Sequence, residues 1–214
     1  AREVATGRFV FVSSGGVVYG EPQIFPTPES APKLPLSPYG VTKLSGELYL
    51  NYYREVHGLD YVALRYGNVY GPRQDPHGEA GVVAIFSHRL LSGEALTIFG
   101  DGEQTRDYVF VRDVVSANML VSEANLKGAS GDPDEVAFNV GTGTGVSVNH
   151  LAETMESVAG LSTGRDYESP RAGELRHSRL ETKRLQAMGW SCGWTLEEGL
   201  RETYQHIAKE RETL

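Results

Sequence analysis

Apolar and polar positions along the chain fall into two alternating rhythms. The run Phe9-Val10-Phe11-Val12 has no polar interruption, as expected of a strand buried in a parallel sheet. It passes into Ser13-Ser14-Gly15-Gly16-Val17-Val18-Tyr19-Gly20, which reads as a Ser/Gly loop. Six prolines between residues 22 and 38 predict an irregular loop. At its end Ser37 is a good N-cap, and Pro38 suits the first helical position, where its missing N–H is no loss. Leu44, Leu48 and Tyr52 then recur at i, i+4 and i+8, and Gly58 is a natural C′ residue, so the spacing predicts a helix over 38–57. Its stripe is core or interface, with core the default.

The alternation repeats downstream. Tyr61-Val62-Ala63-Leu64-Arg65-Tyr66 predicts a second strand, opening onto the loop Gly67-Asn68-Val69-Tyr70-Gly71-Pro72-Arg73. A helix is predicted over 82–91, a strand over 96–99 and a turn at Asp101-Gly102. Residues 109–115 lead into a helix through 118–124, a polar loop covers 127–134, and a strand over 136–140 ends in Gly141-Thr142-Gly143-Thr144-Gly145. Ser147 caps the next helix. Residues 180–188 form another, and Thr195-Leu196-Glu197-Glu198 is a capping box that opens the last. Strands alternating with helices define an α/β chain. The glycine run at 141–145 imitates a phosphate-binding fingerprint, but Val146 stands where Gly-x-Gly-x-x-Gly needs its third glycine, so it reads as a tight strand-to-helix turn.

Composition narrows the function. With 214 residues and 40% hydrophobic content the chain can bury a real core. A formal charge of −8 argues against a broad nucleic-acid or acidic-membrane surface, so an anionic ligand must be met by a few placed arginines. No apolar run approaches the ~20 residues needed to span a bilayer. Cys192 is the only cysteine, which fits a reducing, cytoplasmic setting. The six histidines show no close metal-ligand spacing, and no metal is expected.

The chemistry centres on Tyr39 and Lys43. Four residues apart on one helix, they share a face, within reach of one ligand. A fixed cation nearby favours the phenolate and draws a tyrosine pKa down from about 10 toward neutrality, making it a usable general acid or base. The spacing arises readily by chance, so its surroundings carry the argument. Arg106 and Tyr108 alternate on one face of an extended segment, which suits a guanidinium meeting phosphate beside an aromatic ring. A salt bridge between Arg106 and Asp107 is the plain structural alternative.

A strand, a Ser/Gly loop, a proline-rich loop and a Tyr-x-x-x-Lys helix, in that order, resemble the extended short-chain dehydrogenase/reductase superfamily. Within it the chain is most similar to the nucleotide-sugar epimerases, of the UDP-glucose 4-epimerase kind. The resemblance covers essentially the whole chain but begins in mid-fold, since no glycine fingerprint occurs near the start. It implies the second half of an NAD-binding, Rossmann-type doubly wound parallel sheet (residues 1–75). A smaller α/β substrate-binding domain would follow, mostly residues 76–214, with some segments returning to the first sheet. NAD as cofactor, a UDP-sugar substrate and a homodimer through the Tyr39 helix are implied with it. So is inversion at C4 through a transient 4-keto sugar.

Site roles follow from the same resemblance. Tyr39 is the acid–base group and Lys43 its partner. The superfamily's catalytic Ser/Thr position falls on Gly15, so its hydrogen-bonding role passes to Ser14. Ser13, Tyr39, Lys43 and Tyr66 are expected at the cofactor. Asn68, Val82, Val83, Arg106, Tyr108, Arg171 and Glu174 are expected at the nucleotide sugar, with Ser14 and Ser178 beside them. Ser178 is the position that gates an N-acetyl pocket, and its small side chain implies room for UDP-N-acetylhexosamines. Nucleotide-sugar dehydratases and decarboxylases carry acids just before Val-Tyr-Gly, and Gly15, Gly16 and Val17 supply none. Two rivals stay open: a non-catalytic NAD- or sugar-nucleotide-binding protein, and a UDP-glucuronate 4-epimerase drawing an extra cation from Arg73, Arg89 or Arg176.

Overall fold

The structure is a computed structural model that describes residues 6–76, 81–126, 131–171 and 173–212. Residues 127–130 of the expected polar loop lie outside these, as do His77 and Ala172. In chain order the elements are β1 (Phe9–Ser14), α1 (Gly15–Val18), α2 (Pro38–His57), β2 (Tyr61–Tyr66), β3 (Asn68–Tyr70), α3 (Val82–Ser92), β4 (Leu96–Phe99), β5 (Thr105–Arg106), β6 (Tyr108–Phe110), α4 (Val111–Glu123), β7 (Ala137–Val140), β8 (Val146–Ser147), α5 (Val148–Ala159), β9 (Arg165–Glu168), α6 (Lys183–Ala187) and α7 (Leu196–Glu212).

β1, β2 and β7 form a parallel sheet with β2 in the middle, so Tyr61 to Arg65 are buried and the strand reads as a nearly unbroken apolar run. Alternation divides its side chains between two cores. Phe9, Phe11, Tyr61 and Ala63 pack with Leu50 of α2 on one face. Val10, Val62, Leu64 and Val140 pack with Val114, Ala117 and Val121 of α4 on the other. A further core gathers α3, α5 and α7 around Phe86, Leu90, Leu151, Met155 and Leu200. The parallel pair β3–β6 carries the chain from the sheet toward it, setting Asn68 opposite Tyr108. No helix among the described residues is long and apolar enough to cross a membrane.

α2 begins and ends where its sequence says. The Ser37 hydroxyl accepts from Gly40 N at 3.1 Å, and Gly58 closes the helix at φ 67°. Gly46 lets the helix lie close on β1, because a Cβ there would run into the Phe11 ring.

Four expectations give way. The Ser/Gly stretch is not all loop: β1 continues through Ser14, and residues 15–18 form a helical turn whose Val18 joins Tyr19, Ala31 and Leu180 in a small core. α4 starts at Val111, directly after β6, because its buried positions already follow the helical period there. The helix expected over 180–188 shrinks to α6, since Leu180 is drawn into a bridge with Thr27 instead. Leu48 and Tyr52 are 54% and 52% exposed, so that stripe is not core; the face of α2 turned to the sheet holds Gly40 and Glu47.

Candidate active site

The carboxyl ends of β1 and β2, the turn α1 and the first turn of α2 enclose a cavity of about 560 Å³, walled by Ser14, Gly16, Tyr39, Tyr66, Asn68 and Gln74 among others. Tyr39 is half exposed there. Lys43, one turn on, is not itself at the wall. Its Nζ donates to the Val12 carbonyl at 2.8 Å and stands 5.4 Å from the centre of the Tyr39 ring. The pair thus shares one helix face, with the ammonium tied to the end of β1.

Strand alternation separates the two serines. Ser14 reaches the cavity, whereas Ser13 is buried and its hydroxyl donates to Glu47, so only its main chain is left at the cavity wall. Ser13 thus meets the cavity through its main chain rather than its hydroxyl. Gly15 does not face the cavity either. A Cβ there would stand 2.6 Å from Leu180 Cδ1 and 3.1 Å from the Arg65 carbonyl, so a hydroxyl at that position would point into the small core. Gly16 faces the opening instead, and its Cβ would lie 3.8 to 4.0 Å from Asn68 Oδ1, Ser14 Oγ and Ser178 Oγ. Ser178 is therefore buried just behind the cavity wall. The Tyr66 phenol accepts from Asn118 Nδ2 at 2.6 Å, and burial pushes it above its ordinary range.

A second cavity of about 470 Å³ adjoins the first and is walled by Val82, Phe99, Tyr108 and Arg171 among others. The two share Asn68, Arg106 and Glu174. Arg106 Nη2 donates to Glu174 Oε1 at 2.9 Å, across the junction. The alternative pair with Asp107 does not form. Asp107 is fully buried, and its carboxylate accepts from Thr142 N and Oγ1, Gly143 N and Leu180 N. Burial still holds that carboxyl above its usual range. Because Asp107 occupies the amides of Thr142 and Gly143, the glycine run is a structural turn, as its missing third glycine predicts.

In the second cavity the Tyr108 phenol is likewise pushed up by burial. Arg171 lies over the Phe99 ring, 3.9 Å from guanidinium carbon to ring centre, which fixes its direction. Val82 is at the wall. Val83 turns into the core beside Phe86 and Leu90, which corrects its expected place at a ligand. None of the three arginines suggested for an extra cation lines the first cavity: Arg73 is exposed, Arg89 donates to the Ala95 carbonyl, and Arg176 grips both oxygens of Asp101. Gln74 and Phe99 escaped the sequence reading. The Gly71-Pro72 turn, closed by Gln74 N donating to the Gly71 carbonyl, was the available signal for Gln74.

A parallel sheet covered by helices on both faces, with its site at the carboxyl ends of the strands, is the Rossmann-type α/β class. The sequence model of the NAD dependent epimerase/dehydratase family matches residues 1–141, so the chain belongs to that family. A UDP-glucose 4-epimerase of Mycolicibacterium smegmatis is 46% identical over 206 residues, covering 96% of this chain and 64% of its own length. The crystal structure of Thermotoga maritima UDP-glucose 4-epimerase with UDP-glucose is similar at a TM-score of 0.91 and 46% identity, covering 98% of this chain and 66% of that one. The Thermus thermophilus UDP-glucose 4-epimerase in complex with NAD gives 0.88 at 40% identity, over 96% and 65%. The chain spans just under two thirds of the length of these three relatives.

Proposed function

We propose that the protein is an NAD-dependent 4-epimerase of UDP-hexoses, interconverting UDP-glucose and UDP-galactose, and that this chain supplies its acid–base pair and its sugar-nucleotide site. The observation that carries the reading is the joining of two cavities at Asn68, Arg106 and Glu174: one opens on Tyr39, the other on Tyr108 and Arg171. Residues 1–75 belong in this reading to the dinucleotide-binding part and 76–214 mostly to the sugar-nucleotide part.

The hexose occupies the first cavity, the diphosphate the junction and the uridine the second. The Lys43 charge favours the phenolate form of Tyr39, which takes the proton of the C4 hydroxyl and becomes the neutral phenol. Ser14 hydrogen-bonds the same oxygen. Arg106 and Arg171 meet the diphosphate with Asn68, and the Glu174 carboxylate accepts from the ribose hydroxyls. Bound NAD would supply the redox step, accepting and returning the hydrogen of C4 as hydride. The residues here fit its nicotinamide end, at the end of β1 beside Tyr39 and Tyr66. A cradle for its pyrophosphate is not found among the described residues.

A UDP-glucuronate substrate is disfavoured because Arg106, already paired with Glu174, is the only arginine or lysine at the first cavity among the described residues. UDP-N-acetylhexosamines are favoured as additional substrates by the small residues Gly16 and Ser178 on that side. A homodimer through the outward face of α2, in the cytoplasm, completes the reading.

The test is turnover of UDP-galactose by the full-length protein. Interconversion is expected, with kcat lowered at least about a thousandfold by Tyr39→Phe, toward the upper end of what a positioned acid–base group contributes. A Tyr39→Phe variant that epimerises at the original rate would overturn the assignment.

A further inference from the structure

The central sheet carries one rung that is polar on all three strands. Ser13, Arg65 and Asn139 are in register across β1, β2 and β7, each one residue before its strand ends, and each is at most 1% exposed. Arg65 Nε and Nη2 bind both oxygens of Glu47 at 2.6 to 3.2 Å, and the Ser13 hydroxyl donates to the same carboxylate. Nη1 donates to Tyr19 Oη and the Glu29 carbonyl, and Nη2 also to Asp134, which is paired with Lys33. Tyr19 in turn donates to Asn139 Oδ1 at 2.8 Å. Every guanidinium nitrogen is bonded, and the buried Glu29 carboxylate joins the cluster by accepting from Asn139 N.

Such a cluster is poor glue, because apolar side chains of the same volume would hold the elements about as well. What it does fix is geometry. Tyr39, Lys43 and Glu47 follow one another at i, i+4 and i+8, so they form a single stripe along α2. Lys43 is tied to the carbonyl of Val12 and Glu47 to the hydroxyl of Ser13, consecutive residues of β1. The next residue, Ser14, faces the cavity with Tyr39. Helix and strand are thus keyed together residue by residue, and Gly46 against Phe11 leaves no slack between them.

We infer that Glu47 and Arg65 are positioning residues for the Tyr39–Lys43 pair, their buried ion pair setting how far along and around its axis α2 sits on β1. The inference rests on Tyr39 being the acid–base group. Slippage of that register moves the phenolic oxygen relative to Ser14 and the reacting carbon, and displacements of about 1 Å can cost on the order of a hundredfold in rate.

Glu47→Gln keeps the shape of the side chain but removes its charge and turns one of its two acceptor oxygens into a donor. In the full-length protein it is expected to lower kcat for UDP-galactose about tenfold or more while KM changes less than about threefold. The kinetic isotope effect with substrate deuterated at C4 of the sugar is expected to rise as hydrogen transfer becomes limiting. Ser13→Ala, which removes one hydroxyl and disturbs folding least, is expected to move both readouts the same way by a smaller factor, and it decides the matter should Glu47→Gln fail to fold. A folded Glu47→Gln protein with unchanged kcat and isotope effect would overturn the inference while leaving Tyr39 in its role. Absence of turnover by the unmodified protein would remove the assignment of Tyr39 and this inference together.

Discussion

Gly15 and Gly16 are neighbours in the chain and opposites in space. A methyl group on Gly15 meets Leu180 at 2.6 Å, whereas on Gly16 it meets nothing closer than 3.8 Å. Gly15→Ala is therefore expected to cost about 1–3 kcal/mol through overpacking, read as a lowered Tm. Gly16→Ala should leave Tm nearly unchanged and instead raise KM for the sugar nucleotide, because its methyl narrows the first cavity. Equal losses of stability in the two variants would contradict this geometry. Single residues were legible where a period fixed their direction. Tyr39 and Lys43 share a face because helical spacing demands it. The opposite facing of Ser13 and Ser14 was not legible, because the apolar run stops at Val12 and gives no sign that the strand's alternation continues for two more residues. Val83 was grouped with Val82, although one step around a helix turns it into the core.

Elements were legible where their ends carry chemistry. Ser37, Pro38 and Gly58 delimit α2, and Thr195 with Glu198 opens α7. The turn α1 was missed because two glycines have no helical preference of their own, and its form comes from packing under Leu180. α6 was overdrawn because residues 179–181 are held by Thr27, more than 150 positions earlier in the chain. The α7 box makes a pH-dependent contribution. Hydrogen bonds from the Thr195 hydroxyl and amide hold the Glu198 carboxyl below its usual range. The folded state thus binds that proton less readily than the unfolded chain, so the contribution is present above the unfolded pKa and is lost as pH falls through the lowered folded value. Thr195→Ala is accordingly expected to lower Tm at neutral pH, with the gap to the unmodified protein narrowing in acid as the carboxylate bond is lost while the hydroxyl's bond from Glu198 N remains. A gap that is independent of pH would exclude the carboxylate from the cap.

At the scale of the whole molecule, α2 turns Val41, Leu48, Tyr52 and Val56 to solvent, each at least half exposed, in a continuous helical stripe. If this face pairs with a second copy, Leu48→Glu should convert a dimer to monomers in sedimentation velocity with the fold retained. A dimer unaffected by that charge would place the contact elsewhere. The meeting of the two cavities was beyond local pattern, because it depends on β3–β6 pairing and on a segment around residue 174 that arrives from far along the chain. Arg106→Ala should weaken binding of UDP by about tenfold or more in calorimetry, since a charge-assisted contact is removed from the site where both cavities meet. The contrast between those cavities has a mechanical side. One chamber is furnished with guanidinium groups, carboxylates and rings, while the other offers mainly glycine, amides and hydroxyls around the phenols of Tyr39 and Tyr66. A two-ended guest threaded through the gap at Arg106 is anchored at one end and left free to swivel at the other, so that either side of its far ring can be turned to the same wall.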